Sequence, residues 1–138
     1  MAERDAIVKL FSQYGMAIDA QDWALLDEIF TDDAVWEMAH PGHEPVERRG
    51  LHAIKQFLPG SRATGQPRHI FANLRVLRED AESASVTMYM MFTLTNGGMV
   101  QVMMTFVYAA DVVRTPAGWR FRRMGHFADR QQWALERT

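Results

Sequence analysis

The chain predicts an α+β domain in which N-terminal helices pack into a curved sheet of long strands. Three observations carry this. Apolar residues recur at helical spacing through the first thirty or so positions, and they alternate with period two after Pro67. Asn96-Gly97-Gly98 separates two of the alternating runs, and a tight hairpin needs residues tolerant of positive φ there. The chain has 138 residues, 48% of them apolar, which fits one domain spanning 1–138 and excludes a disordered or collagen-like polymer.

Ile7, Leu10, Phe11, Tyr14 and Ile18 share one helical face, which predicts an amphipathic helix over residues 3–19. Asp22 is a favoured N-cap for a second helix carrying Trp23, Leu25, Leu26, Ile29 and Phe30. Thr31-Asp32-Asp33 predicts a turn into a short strand, Ala34 to Met38. The two adjacent aspartates point apart, so they read as turn or cap residues rather than as an acid/base pair. Two prolines, Gly42 and many charges predict a loop from Ala39 to Arg49, and residues 50–58 predict a short helix closed by Pro59-Gly60.

Strands follow at about 68–78, 83–95, 98–113 and 118–126, with a second hairpin at Thr115-Pro116-Ala117-Gly118. Alternation puts Val86, Met88, Met90, Phe92 and Leu94 on one face of the third strand. It puts Val100, Val102, Met104, Phe106 and Tyr108 together on the fourth. Long strands with one apolar face curl around helices packed on that side, which makes a cone whose inside is a pocket open at one end.

Composition narrows the function. Fifteen Lys and Arg against seventeen Asp and Glu give a net charge of −2, without the basic field that nucleic-acid binding needs. The absence of cysteine excludes a disulfide scaffold, a thiolate metal site and a thiol nucleophile. No apolar run reaches the roughly 18 residues that span a bilayer. The opening MAERDAIVKL carries charges where a signal peptide has its apolar stretch. The expectation is a cytoplasmic protein with neither a nucleic-acid nor a membrane partner. No G-x-G-x-x-G, P-loop or G-x-S-x-G motif occurs, which removes the usual dinucleotide, nucleotide-triphosphate and esterase signatures. Six of the ten methionines (Met88, Met90, Met91, Met99, Met103 and Met104) crowd into the third and fourth strands. Flexible, polarizable side chains suit ordinary sheet packing and also the wall of a pocket for a bulky apolar guest.

Few polar residues are placed to act inside such a cone. His69 shares a strand face with Phe71 and Asn73, and alternation alone leaves open whether that face looks inward or to solvent. Asp19 closes the first helix, at the negative end of the helix dipole, where a carboxylate is disfavoured by about 0.3–1 kcal/mol. Asp22 has a cap to make, whereas Asp19 has no such local reason. Tyr14 lies on the apolar helix face one turn before Ile18. Arg123 shares its face with Trp119 and Phe121 by alternation, and either snorkels at the rim or aims into the cone. Trp36 either lines the cone or packs beneath it. His40-Pro41-Gly42-His43 brings two imidazoles together, with Glu37, Glu44 and Glu47 as further candidate ligands. That set on a Pro/Gly loop falls short of a metal site in ligand count and geometry, so no metal is expected.

Taken in order, Tyr14…Asp19-x-x-Asp22-Trp23…Phe30-Thr31-Asp32-Asp33-Ala34-x-Trp36, Gly50-x-x-Ala53-Ile54, Arg68-His69-x-x-x-Asn73 and Gly118-Trp119-Arg120-Phe121 resemble the SnoaL-like branch of the NTF2-like superfamily over nearly the whole chain. The resemblance implies an NTF2-like conical barrel, a curved mixed or antiparallel sheet around N-terminal helices, with a deep apolar pocket. It also implies chemistry. Asp19 and His69 look like the dyad of the family's lyases (scytalone dehydratase, lindane dehydrochlorinase and bile-acid 7α-dehydratase), in which an aspartate orients a histidine that takes a proton from carbon. Tyr14 falls at a site tyrosine or lysine of those enzymes, Arg123 near a site arginine, and Trp36 at a pocket tryptophan. The pocket wall is then expected from Trp36, Met38, Phe71, Met88, Met90, Phe92, Met104 and Phe106.

The sequence departs from two relatives. Met38 stands where ketosteroid isomerase has its base aspartate, and Phe92-Thr93-Leu94-Thr95 lacks the second histidine of scytalone dehydratase. The expectation is a cofactor-independent lyase of dehydratase type on a small-to-medium apolar substrate, with polycyclic and terpenoid molecules as candidates. An isomerase or cyclase using the same base stands as an alternative, as does a non-catalytic ligand-binding or small-subunit domain. Apolar residues on the outer face of the sheet predict a homo-dimer or homo-trimer.

Overall fold

A computed structural model describes residues 2–61 and 64–129. Helix α1 (Ala2–Asp19) is followed by a 3-10 turn (Trp23–Glu28), β1 (Phe30–Ala39), β2 (Val46–Arg49), α2 (Leu51–Phe57) and a second 3-10 turn (Leu58–Ser61). Four long strands complete it: β3 (Gln66–Glu79), β4 (Ser83–Asn96), β5 (Met99–Thr115) and β6 (Gly118–Ala128). They form one six-stranded sheet in the order β2-β1-β6-β5-β4-β3. The β1–β6 pair is parallel and every other pair is antiparallel. The sheet curls around α1, whose Ile7, Phe11 and Tyr14 are buried with Tyr108 and Phe121 of the sheet. Phe11 meets Phe121 and Phe71 at ring-centroid distances of 5.1 and 5.3 Å. No described helix is long and apolar enough to cross a membrane.

Several expectations are corrected. The second helical segment is a 3-10 turn, and Asp22 makes no side-chain cap there. Thr31-Asp32-Asp33 lies within β1 as an irregularity in its pairing with β6, because buried Phe30 already pairs with Phe121. The expected loop 39–49 contains β2, a short, charge-rich edge strand of the kind that discourages further pairing.

Bulges decide which way the long strands face. In β5, Phe92 pairs with Met104 but Thr93 pairs with Val102, so Met103 is an extra residue. Met104, Phe106 and Tyr108 face the interior, whereas Val100 and Val102, expected beside them, are 66% and 60% exposed on the outer face. In β6, Phe121 pairs with Val112 but Arg123 pairs with Asp111, which leaves Arg122 extra. Around residues 73–74 of β3 the register shifts again, with Asn73 at φ 61. Asn73 is therefore exposed rather than aligned with His69 and Phe71, and Leu74 turns toward the core. Each extra residue reverses the alternation beyond it and tightens the coiling of the sheet.

Helix α1 packs tightly against β3 at Gly15. A Cβ there would lie 3.1 Å from the His69 Cβ and 3.4 Å from its carbonyl oxygen, so a hydrogen at this position lets the helix C-terminus reach β3.

Candidate functional site

The helix ends where the site begins. The amides of Gln21 and Asp22 bond back to the carbonyls of Ile18 and Ala17, at 3.2 and 2.8 Å, with Gln21 at φ 57. This is a Schellman ending, which reverses the chain immediately after Asp19. The Gln66 side-chain amide donates to the Asp19 carbonyl at 3.0 Å and fixes that end against the start of β3. The Asp19 carboxylate then turns to His69. Its Oδ1 stands 2.6 Å from His69 Nδ1, and its Oδ2 accepts the His69 backbone N–H at 2.9 Å. Both side chains are only 10% exposed. These two bonds answer the electrostatic objection to an aspartate at this helix end. They also favour the tautomer with the proton on Nδ1, leaving the Nε2 lone pair free.

His69 lines a cavity of about 260 Å³ inside the cone. Trp36, Met38, Met90, Phe92, Met104 and Phe106 line it, together with Tyr14, Ile18, Leu58, Pro67 and Tyr108. Tyr14 is buried, and its hydroxyl oxygen accepts the Trp36 indole N–H at 2.9 Å. Burial pushes the Tyr14 phenol up, while hydrogen bonds from Trp36 and Tyr108 work against that rise. Burial also raises Tyr108 well above its ordinary range, and the neighbouring Tyr14 and Asp19 add to the rise. Tyr14 accepts from Trp36, and a phenol that accepts one bond still has its own proton to donate.

Three expected site residues lie elsewhere. The β6 bulge turns Arg123 away from the interior, where its guanidinium pairs with Glu37 at 3.0 Å. Phe71 packs against Phe11 and Tyr108, and Met88 is core; neither lines this cavity. The same bulge turns His126 inward. It lines the cavity, stacks on Tyr108 at 4.9 Å between centroids, and is 6% exposed. Burial, with His40 and His69 nearby, pulls its pKa down to about 3, so the ring is neutral at neutral pH. His40 also lines the cavity, and burial followed by repulsion from His43 lowers its pKa. Sequence reasoning placed His40 in a loop and passed over His126 entirely. Among the described residues, no group of three or more His, Cys, Asp or Glu side chains is arranged to hold a metal ion.

A larger, open depression of about 880 Å³ lies on the other face of the sheet, lined by Ile70, Tyr89, Met91, Val107 and Phe127 among others. It contains no imidazole and does not include the Asp19–His69 pair. The chemistry-bearing groups converge on the smaller cavity.

The SnoaL-like domain family matches residues 1–134 of the chain. Three solved structures share its architecture. A protein of unknown function from Mycobacterium tuberculosis has a TM-score of 0.81 and 21% identity, over 94% of this chain and 73% of that one. An NTF2-like protein with a cystatin-like fold from Novosphingobium aromaticivorans has a TM-score of 0.78 and 21% identity, over 97% and 86%. LinA has a TM-score of 0.77 and 20% identity, over 94% and 87%. At these identities the likeness is one of fold, and that fold is the conical α+β barrel expected from the sequence. No curated protein matches the chain by sequence.

Proposed function

The chain belongs to the SnoaL-like family, which includes enzymes, and from that premise we propose that it is a cofactor-independent lyase acting on an apolar substrate, with His69 as the base. One observation carries this reading: the 2.6 Å contact between Asp19 and His69 at the wall of a cavity lined mainly by apolar side chains. An imidazole, with an ordinary pKa of about 6.5, is well matched to proton transfer near neutral pH. Asp19 holds the tautomer and stabilises the imidazolium as it forms.

The elimination balances on these groups. His69 Nε2 takes a proton from substrate carbon, and the C–H bonding pair becomes the new double bond. The β-substituent leaves with its own bonding pair. When that substituent is hydroxide, the imidazolium proton completes a water molecule. Tyr14 donates a hydrogen bond to the departing group or to a developing enolate. No step calls for a metal or an organic cofactor.

The test is turnover of a panel of apolar β-hydroxy ketones in deuterated water, followed by mass spectrometry. The expected product has lost one water, and recovered substrate carries deuterium at the acidic carbon. A deuterated product of otherwise unchanged composition identifies an isomerase or cyclase using the same base. If neither elimination nor exchange occurs above the rate of a His69→Ala control, the base assignment fails.

The proposal extends to assembly as a homo-dimer or homo-trimer. Its support is the outer face of the sheet, where Tyr89, Val100, Val102 and Met103 are 56%, 66%, 60% and 47% exposed. Size-exclusion chromatography with light scattering is expected to give two or three times the chain mass, and a monomer at micromolar concentration contradicts it.

A further inference from the structure

Two buried nitrogens have no hydrogen-bond partner among the described residues, and both belong to residues that line the cavity: His40 Nε2 and His126 Nδ1. Their rings lie 6.2 Å apart, and both residues line the cavity that contains His69. His126 sits on β6 and His40 just beyond β1, whereas His69 sits on β3, with β5 and β4 between β6 and β3 in the sheet. The cavity thus has one polar end at the Asp19–His69 pair and a second at these two imidazoles. Around the second end the neighbours are aromatic: Trp36 is 5.1 Å from His126, and Phe106 is 5.3 Å from His40 and 5.5 Å from His126, centroid to centroid.

We propose that His40 and His126 form a neutral hydrogen-bonding subsite that receives a hydroxyl or carbonyl oxygen of an otherwise apolar ligand. A polar atom buried without a partner destabilises the free protein, and a ligand that hydrogen-bonds to it recovers that energy on binding. A neutral imidazole offers one N–H and one lone pair, so it suits a hydroxyl, which donates and accepts, or a carbonyl, which accepts. Burial and the neighbouring imidazoles hold His126 uncharged at neutral pH, so a carboxylate gains no ion pair from it. Stacking on Tyr108 fixes the ring plane before any ligand arrives. Only the statement that this ligand is a substrate rests on the elimination reading; the binding preference stands apart from it.

The probes are naphthalene and naphthol, which differ by one hydroxyl, with dissociation constants read by titration calorimetry on the full chain. The wild type is expected to bind naphthol about tenfold more tightly, the value of one net hydrogen bond. His126→Phe keeps an aromatic ring on Tyr108 and is expected to abolish the preference. His40→Phe carries the same expectation and preserves the test if the first variant does not fold. His69→Ala is expected to retain the preference. Equal affinities in the wild type overturn the proposal, as does a preference that survives both phenylalanine variants or disappears in His69→Ala. Absence of turnover with the preference intact counts against the lyase reading alone. Loss of the preference with turnover intact counts against the subsite alone.

Discussion

Changing His69 to Ala or Asp19 to Asn is expected to lower turnover by ~10²–10⁴ each while the fold survives. The two substitutions act differently. His69→Ala removes the base of the proposed elimination. Asp19→Asn keeps the shape, and its amide oxygen can still accept the His69 backbone N–H that Oδ2 accepts at 2.9 Å. Its NH₂ group, however, presents a donor to Nδ1 and favours the tautomer with the proton on Nε2, which points the wrong nitrogen chemistry at the substrate. Because the pair works as a unit, the double variant is expected to fall no further than the worse single one. Steady-state rates with circular dichroism check this, and near-wild-type turnover by either single variant contradicts it.

Lowering the pH from 7 to 4.5 is expected to weaken the fold through His126. Its pKa in the folded chain is about 3, against an ordinary value of about 6.5. Between those values the unfolded chain binds the proton and the folded chain does not, so stability rises with pH across the window. The contribution is complete above about 6.5 and is lost progressively as the pH falls toward 3. At about 1.4 kcal/mol per unit, the loss by pH 4.5 is about 3 kcal/mol from this ring. Urea unfolding at the two pH values is expected to show that loss in the wild type and a much flatter response in His126→Phe. Parallel behaviour of the two proteins contradicts the assignment. At neutral pH the variant is expected to match or exceed the wild type, since an apolar ring of similar shape replaces an unsatisfied polar atom. If His40 and His126 hold a ligand oxygen, that stability comes at the expense of binding.

The readable parts of this molecule are those governed by a regular period. The 3.6-residue spacing from Ile7 to Ile18 gives α1 and its buried face, and two-residue alternation with glycine turns gives the four long strands. Asp19 stood out because a carboxylate at a helix C-terminus lacks local support, and its support proves to be His69. What the sequence hid depends on extra residues in the ladder. Arg122 bulges out of β6, so Arg123 meets Glu37 outside and His126 turns inside. The trace of that bulge was present: Phe121 and Met124, both fully buried, stand three apart where an even spacing is the rule for one face. The Met103 bulge likewise sends Val100 and Val102 outward. Strand β2 carries three charges in four residues and follows two prolines, so its pairing with β1 shows only in three dimensions.

The most direct test of the Asp19–His69 assignment is proton–nitrogen correlation NMR at neutral pH on protein with labelled histidine side chains. His69 is expected to show its proton on Nδ1, hydrogen-bonded to Asp19, with an unprotonated Nε2. In Asp19→Asn the two nitrogens are expected to exchange character. A proton on Nε2 in the wild type, or a His69 spectrum indifferent to Asp19→Asn, would contradict the dyad and leave the cavity without its base.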